Sequence, residues 1–313
     1  MTKNDLYIII AVYNLKGLNC MKLTDELQKK QFSLSFEVFP PKTDALYDSV
    51  RDAAKKIAAL SPTFMSVTYG AGGGTSEYTL NLARDIKDTF HVPSIAHLTC
   101  ISSTKETVRS KIRSFTEAGI ENIMALRGDI PTGMDINDST RDYHHAVDLI
   151  ADIRSISPEM CIGGACYPEK HPESTDSKED IRYLKEKVDA GCDFLVTQMF
   201  FDNNLLYNFL YRIREVGITV PVVAGVMPIT AANQITRAVE LSGSFIPRRF
   251  SSLLDIFGKY PDAMKKAGIA YATDQIIDLF ANGITHVHVY SMNKPDVAAQ
   301  IIANLTDILG KKL

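Results

Sequence analysis

The stretch SFEVFPP, Ser35 to Pro41, puts an acid where an acid is costly. Leu34, Phe36 and Val38 alternate as on a strand, and the opposite face reads Ser33, Ser35, Glu37 before two prolines end the run. An unpaired buried charge loses several kcal/mol of hydration. With Val38, Phe39 and the prolines limiting water, desolvation raises the carboxyl's pKa and keeps it protonated, which suits a general acid. Polar side chains recur where other apolar runs end: Thr68 and Tyr69, His97 and Thr99, Arg127 and Asp129, Tyr167, and Gln198. Each alone has an ordinary structural explanation. A lone histidine such as His97 is commonly a hydrogen-bonded core residue, and Arg127 with Asp129 reads equally as an ion pair. Their recurrence at the same end of successive runs is what points to a site.

Other motifs carry less. GAGGGT, Gly70 to Thr75, follows a strand-like run, but it lacks the lysine of a P-loop and the spacing of a dinucleotide fingerprint, so it reads as a loop with close backbone approach. His286 and His288 face one side of a strand without a third ligand at metal-binding spacing, and adjacent His144 and His145 cannot point the same way, so no metal is expected. The five cysteines form no CxxC pair and are odd in number, which argues for reduced thiols in a cytoplasmic protein.

The elements that position these groups follow from length and pattern. A chain of 313 residues, 45% hydrophobic, can bury a large core as one domain. A formal net charge of -3 offers no basic stripe for nucleic acid. The apolar run Leu6 to Tyr13 falls far short of the ~20 residues that span a bilayer. Asp5 and the lack of a small-residue cleavage site also distinguish it from a secretion signal. Residues 1–31 read as an N-terminal extension and lead-in helix, and 32–313 as one catalytic domain.

Strands are expected at 34–39, 64–68, 94–98, 122–126, 161–165, 194–197, 222–224 and 286–290, with helical periodicity between them. EAGIENIM, DAGCDFLV and ANGITHVHV share one form: helix end, glycine, strand. Repeated along the chain, that form predicts a closed (β/α)8 TIM-type barrel, with a doubly wound sheet as the alternative. The segment from Pro247 to Asn282 holds more helix than one unit needs and reads as an inserted pair before the last strand. In such a barrel, function sits at the C-terminal ends of the strands, where the residues above fall.

The motifs SFEVFPPK, VTYGAGG, AHLTC, ALRGDIP, ACYPEKHPE, LKEKVDAGCDFLVTQMFFD, AGVMPI and HVYSMNK, collinear from Ser33 to Lys294, resemble those of 5,10-methylenetetrahydrofolate reductases in their short bacterial-type form. The resemblance implies an FAD-dependent oxidoreductase of one-carbon metabolism. It would transfer hydride by a ping-pong route from NAD(P)H to methylenetetrahydrofolate, giving 5-methyltetrahydrofolate for methionine synthesis. It implies FAD contacts from Thr68, Tyr69, Ala71, His97, Arg127, Gly128, Asp129, Tyr143, His144, Tyr167, His171, Asp180 and Lys187. Glu37, Gln198, Gln234 and Lys294 would meet substrate, with Glu37 and Asp129 catalytic and the chain forming a homo-oligomer.

Two positions depart from the family pattern. Ala238 stands where a well-known bacterial form has an aromatic, and Lys294 where the last motif usually ends in Arg, a point charge in place of a bidentate fork. NADH and NADPH are not distinguished, for want of a fingerprint acid or arginine. The competing classes are a flavin-dependent proline dehydrogenase, an aldolase, and a folate or flavin binder without turnover. An aldolase would want a Schiff-base lysine on a strand, and no expected strand contains one.

Overall fold

The computed structural model describes residues 22–69, 76–130 and 141–309. Eight parallel strands close into a barrel in sequence order, β1 pairing with both β2 and β8. They are β1 Ser33–Val38, β2 Met65–Val67, β3 Ser94–Thr99, β4 Asn122–Leu126, β5 Cys161–Cys166, β6 Phe194–Thr197, β7 Val222–Val226 and β8 His286–Tyr290. The expected strands are all present, with ends moved by at most two residues.

The first helix, α1 Leu23–Lys29, lies across one end, and the others wrap the outside: α2 Tyr47–Ala58, α3 Ser76–Arg84, α4 Lys105–Glu117, α5 Ala146–Ile156, α6 Ser177–Asp189 and α7 Asn203–Glu215, then α8 Asn233–Ser242, α9 Arg248–Phe257, α10 Pro261–Ala281 and α11 Pro295–Leu309. Among the described residues, no helix is long and apolar enough to cross a membrane.

Strand periodicity sorts the side chains. On β1, Leu34, Phe36 and Val38 point outward into the main core beneath the helices, where Ala54, Ile57 and Ile301 also lie. Ser33, Ser35 and Glu37 point inward, as do His286, His288 and Tyr290 on β8, which they oppose in register. The shared helix–glycine–strand form works because Gly119, Gly191 and Gly283 have φ of 72°, 111° and 81°, a region costly for residues with a Cβ.

The α1 helix does more than lead in. Leu23 and Leu27 are 0% and 2% exposed and pack inside the barrel against Phe64, Ile95, Met124, Phe194 and Val223. Its first amide, Leu23 N–H, donates to Asn122 Oδ1 at 2.7 Å, and Asn122 Nδ2 donates on to Ser94 O. The helix is a floor for the barrel, so packing draws no boundary at residue 32. Residues 1–21, including the apolar run and Cys20, lie outside the described residues, as does the glycine loop with Ala71.

The α9 and α10 helices form the expected insertion. Gly268 of α10 lies so close to the β7–α8 loop that a Cβ would sit 1.8 Å from Ile229 O. This contact fixes the loop carrying Thr230 and Gln234.

Candidate functional site

A cavity of about 1410 Å³ opens at the C-terminal ends of the strands. It exceeds the ~300–1,000 Å³ usual for one small ligand. Its floor is Phe64, Ile95, Met124 and Val196, and its wall carries Glu37, Thr68, Tyr69, His97, Arg127, Gly128, Asp129, Tyr167, His171, Asp180, Lys187, Gln198 and Gln234. The barrel thus brings together most of the residues singled out in the sequence.

Glu37 ends β1 deep in this cavity and is 8% exposed. His97 Nε2 stands 3.7 Å from Glu37 Oε2, and Ser66 Oγ 3.5 Å from the same oxygen. Loss of hydration pushes the Glu37 carboxyl up to about 8. The same burial holds His97 down to about 4 and His288 to about 3, so both imidazoles are neutral at pH 7. Among the described residues, no full charge therefore faces Glu37 across this layer, and burial holds its carboxyl in the protonated form at neutral pH.

Arg127, at the end of β4, donates Nη1 to Glu173 Oε2 at 2.6 Å and Nη2 to Glu173 Oε1 at 2.7 Å. The ion pair that the spacing of Arg127 and Asp129 allowed is therefore made with Glu173 instead. Asp129 lines the cavity with its side chain exposed. Tyr167 stacks edge-on against His171 with ring centroids 4.7 Å apart. From α6, Asp180, Leu184 and Lys187 present one face of helical spacing to the cavity. Lys187 Nζ donates to Ala165 O at 2.5 Å, makes no ion pair with a carboxylate among the described residues, and has its pKa lowered by burial. Flat faces beside two cations, one partly desolvated, suit an extended ligand that joins an aromatic ring system to phosphate.

Two glutamines are held alike. Gln198 Oε1 accepts from Met199 N–H at 2.9 Å. Gln234 Oε1 accepts from Thr230 N–H and Ala231 N–H at 2.8 and 2.9 Å. With both oxygens engaged, each side chain offers its NH2 to the cavity, a donor suited to a ring carbonyl.

Three of the expected positions fall elsewhere, and a fourth is not among the described residues. Tyr143 is 1% exposed in the core, its hydroxyl donating to Asp152 Oδ2 at 2.6 Å, and it does not line the cavity. His144 does not line it either; its neighbour His145 does, stacked on Tyr183 at 5.9 Å between centroids. The rule that adjacent histidines diverge separates the two without saying which turns inward. Lys294 sits behind the wall, donating to Thr230 Oγ1 at 2.8 Å, and so supports the loop of Gln234. Ala71 lies outside the described residues. Ala238 lines the cavity, 3% exposed, packed beside Phe201 and Phe250. Sequence reasoning passed over Ser66, Tyr183, Glu173 and Tyr290 and weighed His288 only as a metal ligand; strand periodicity could have found Ser66 and Tyr290, which pair in register with Glu37. Among the described residues, no group of three or more His, Cys, Asp or Glu is placed to hold a metal ion.

These features define a (β/α)8-barrel protein whose ligand cavity lies at the strand C-termini above a buried carboxyl. The family model for methylenetetrahydrofolate reductase matches residues 22–306. The 5,10-methylenetetrahydrofolate reductase of Escherichia coli strain K12 is 32% identical over 275 residues, 88% of this chain and 91% of that protein. Methylenetetrahydrofolate reductase (NADH) 1 of Arabidopsis thaliana is 33% identical over 300 residues, 91% of this chain and 51% of that one. The chain thus spans about half the length of the plant relative and nearly all of the bacterial one. Among solved structures, an uncharacterized protein from Clostridium thermocellum that binds two copies of 5-methyl-5,6,7,8-tetrahydrofolic acid superimposes with a TM-score of 0.63 at 15% identity, covering 92% of this chain and 99% of that one. The chain belongs to the methylenetetrahydrofolate reductase family.

Proposed function

We propose that this chain reduces 5,10-methylenetetrahydrofolate to 5-methyltetrahydrofolate, with FAD at the cavity mouth and NAD(P)H as the source of hydride. The observation that carries this reading is Glu37, a carboxyl kept protonated near neutrality at the inner end of the cavity. Opening the five-membered ring of the folate needs a proton on the departing nitrogen, and Glu37 is the group able to give it. When bound, the flavin supplies two-electron transfer between nicotinamide and folate.

The chain's own residues do the rest. Arg127 and Lys187 offer cations to a pyrophosphate, and Tyr167 and His171 offer flat contact to a ring. Gln198 and Gln234 give NH2 donors to the carbonyl of a pterin or nicotinamide, with Lys294 steadying the second through Thr230. The Asp129 carboxylate favours cationic character in the opened folate and disfavours negative charge on a neighbouring ring. The Clostridium thermocellum protein of the same fold binds a methylated tetrahydrofolate, which is in keeping with a folate as ligand of this barrel.

The test is an absorption spectrum of the purified chain supplied with FAD, followed by anaerobic NADH or NADPH and then methylenetetrahydrofolate. Flavin absorbance should bleach with the nicotinamide and return with the folate. A protein that takes up no FAD overturns the reading; one that bleaches but is never reoxidised by the folate leaves a flavin reductase of other specificity.

A further inference from the structure

The interior faces of β1, β2 and β8 carry a hydrogen-bond chain that the proposed reaction has not used. Ser35 Oγ donates to Val287 O at 2.9 Å and lies 2.8 Å from His288 Nδ1. His288 Nε2 lies 2.9 Å from Ser66 Oγ, and Ser66 Oγ lies 3.5 Å from Glu37 Oε2. Ser35, Ser66 and His288 are at most 2% exposed, and His288 is clamped by stacking on Phe64 at 5.1 Å.

Proton counting gives the chain a direction. A serine hydroxyl has one hydrogen. If Ser35 spent it on His288, two bare oxygens, Ser35 Oγ and Val287 O, would face each other at 2.9 Å in a dry interior, with no hydrogen between them to offset the repulsion of their lone pairs. Ser35 therefore gives its hydrogen to Val287 O, and His288 carries its proton on Nδ1 to meet the Ser35 oxygen. Neutral imidazole then has an acceptor at Nε2, and Ser66 spends its single hydrogen there. What remains toward Glu37 is a lone pair on Ser66 Oγ. The long 3.5 Å contact to Glu37, beside the 2.9 Å contact to His288, agrees with this assignment.

We propose that Ser35, His288 and Ser66 form a one-way chain presenting an acceptor, not a donor, to Glu37, so that the carboxyl keeps its proton for delivery to substrate. This rests on the reading of Glu37 as proton donor and adds how the barrel holds it in the donating form. His288 and Ser66 are positioning residues, acting through Glu37. Among the described residues, the other groups that face Glu37 are His97 from β3, whose Nε2 has no hydrogen-bond partner there, and Tyr290 from β8, whose hydroxyl donates to Thr197 O at 2.5 Å. Neither supplies a hydrogen bond to an ionised carboxylate.

The chain predicts unequal effects for two substitutions. In His288→Phe the stack on Phe64 is kept but the acceptor is lost. The Ser66 hydroxyl then turns to Glu37, and the Glu37 titration midpoint should fall by about one pH unit or more. Ser66→Ala removes the hydroxyl altogether and, since only the long 3.5 Å acceptor contact goes with it, should leave the midpoint level or slightly lower. The double variant should match Ser66→Ala, because no hydrogen is left to donate.

The midpoint is read on the full-length protein by carbon NMR of side-chain-labelled glutamate, with Glu37→Gln identifying the resonance. His288→Leu, which likewise offers Ser66 no acceptor, serves in place of His288→Phe if that variant does not fold. A midpoint unmoved in the His288 variants, or lowered equally in Ser66→Ala, overturns the chain. Failure of the underlying reading looks different: the midpoints shift as stated, yet folate reduction ignores them and persists in Glu37→Gln.

Discussion

Arg127 closes both terminal nitrogens onto Glu173, 46 residues along the chain, and not onto Asp129 two residues away. Asp129 is thereby left with its charge facing the cavity. Its replacement should act on chemistry more than on stability. Asp129→Asn is expected to retain flavin, slow the folate step by roughly tenfold or more and raise the flavin potential, since a neutral amide no longer disfavours negative charge nearby. Redox titration and single-turnover rates check this; an unchanged potential with an unchanged folate rate removes Asp129 from the mechanism.

Glu37→Gln should separate the two half-reactions. The amide keeps the shape but has no acidic proton. Reduction of flavin by NAD(P)H should stay near normal while folate reduction falls about 10²-fold, the usual scale for a positioned acid. In the wild type, the folate step should also slow as pH rises through about 8, where the carboxyl ionises. Stopped-flow traces in which both half-reactions slow equally would remove Glu37 as the acid.

The same burial has a stability signature. Glu37 binds its proton more tightly folded than unfolded, so its contribution is fully present below 4.5 and lost progressively as pH rises toward about 8. At pH 7 the loss is on the order of 3 kcal/mol. Glu37→Gln should therefore be more stable than wild type, by a margin that widens from pH 5 to 8 and then levels off. His97 and His288 run the other way: their folded values lie below 6.5, so stability is lost as pH falls from 6.5 toward 4 and 3. His97→Gln should flatten that acid limb. Denaturant unfolding across pH checks both slopes, and a pH-independent difference between Glu37→Gln and wild type would refute the linkage.

Leu27→Ala tests the floor. Leu27 is 2% exposed among inward-facing strand residues, and truncation there should cost about 2–5 kcal/mol. A loss below about 0.5 kcal/mol, typical of surface positions, would mean that α1 is only loosely laid against the barrel.

Gly268→Ala separates helix propensity from packing. Propensity alone favours alanine inside a helix by about 1 kcal/mol. The contact with Ile229 O predicts the reverse, a loss of roughly 1–3 kcal/mol, with weaker folate binding as the Gln234 loop is pushed aside. A raised melting temperature would show that the loop yields freely.

Most of the barrel was legible because period-two alternation and helix–glycine–strand junctions are local signals. The strand-end residues Glu37, His97, Arg127 and Gln198 follow from them directly. What escaped depends on contacts between distant segments. Ser35 and His288 are 253 positions apart and meet only because the last strand closes on the first. Arg127 found its partner on the loop after β5, and no spacing within RGD reveals that. Leu23 and Leu27 read as an ordinary amphipathic turn, since nothing local says that the face they cover is the inside of a barrel. Tyr143 carries a hydroxyl that suits a ligand, yet Asp152 on the next helix claims it.

The α1 stopper also bears on traffic. With Leu23 and Leu27 plugging one end, the barrel is a cul-de-sac among the described residues, and whatever stands over Glu37 must leave by the way it came. Two reactants that need the same inner berth must queue for it. On the proposed function, an alternating order of arrival and departure is what such a dead end favours, before any difference in affinity is considered.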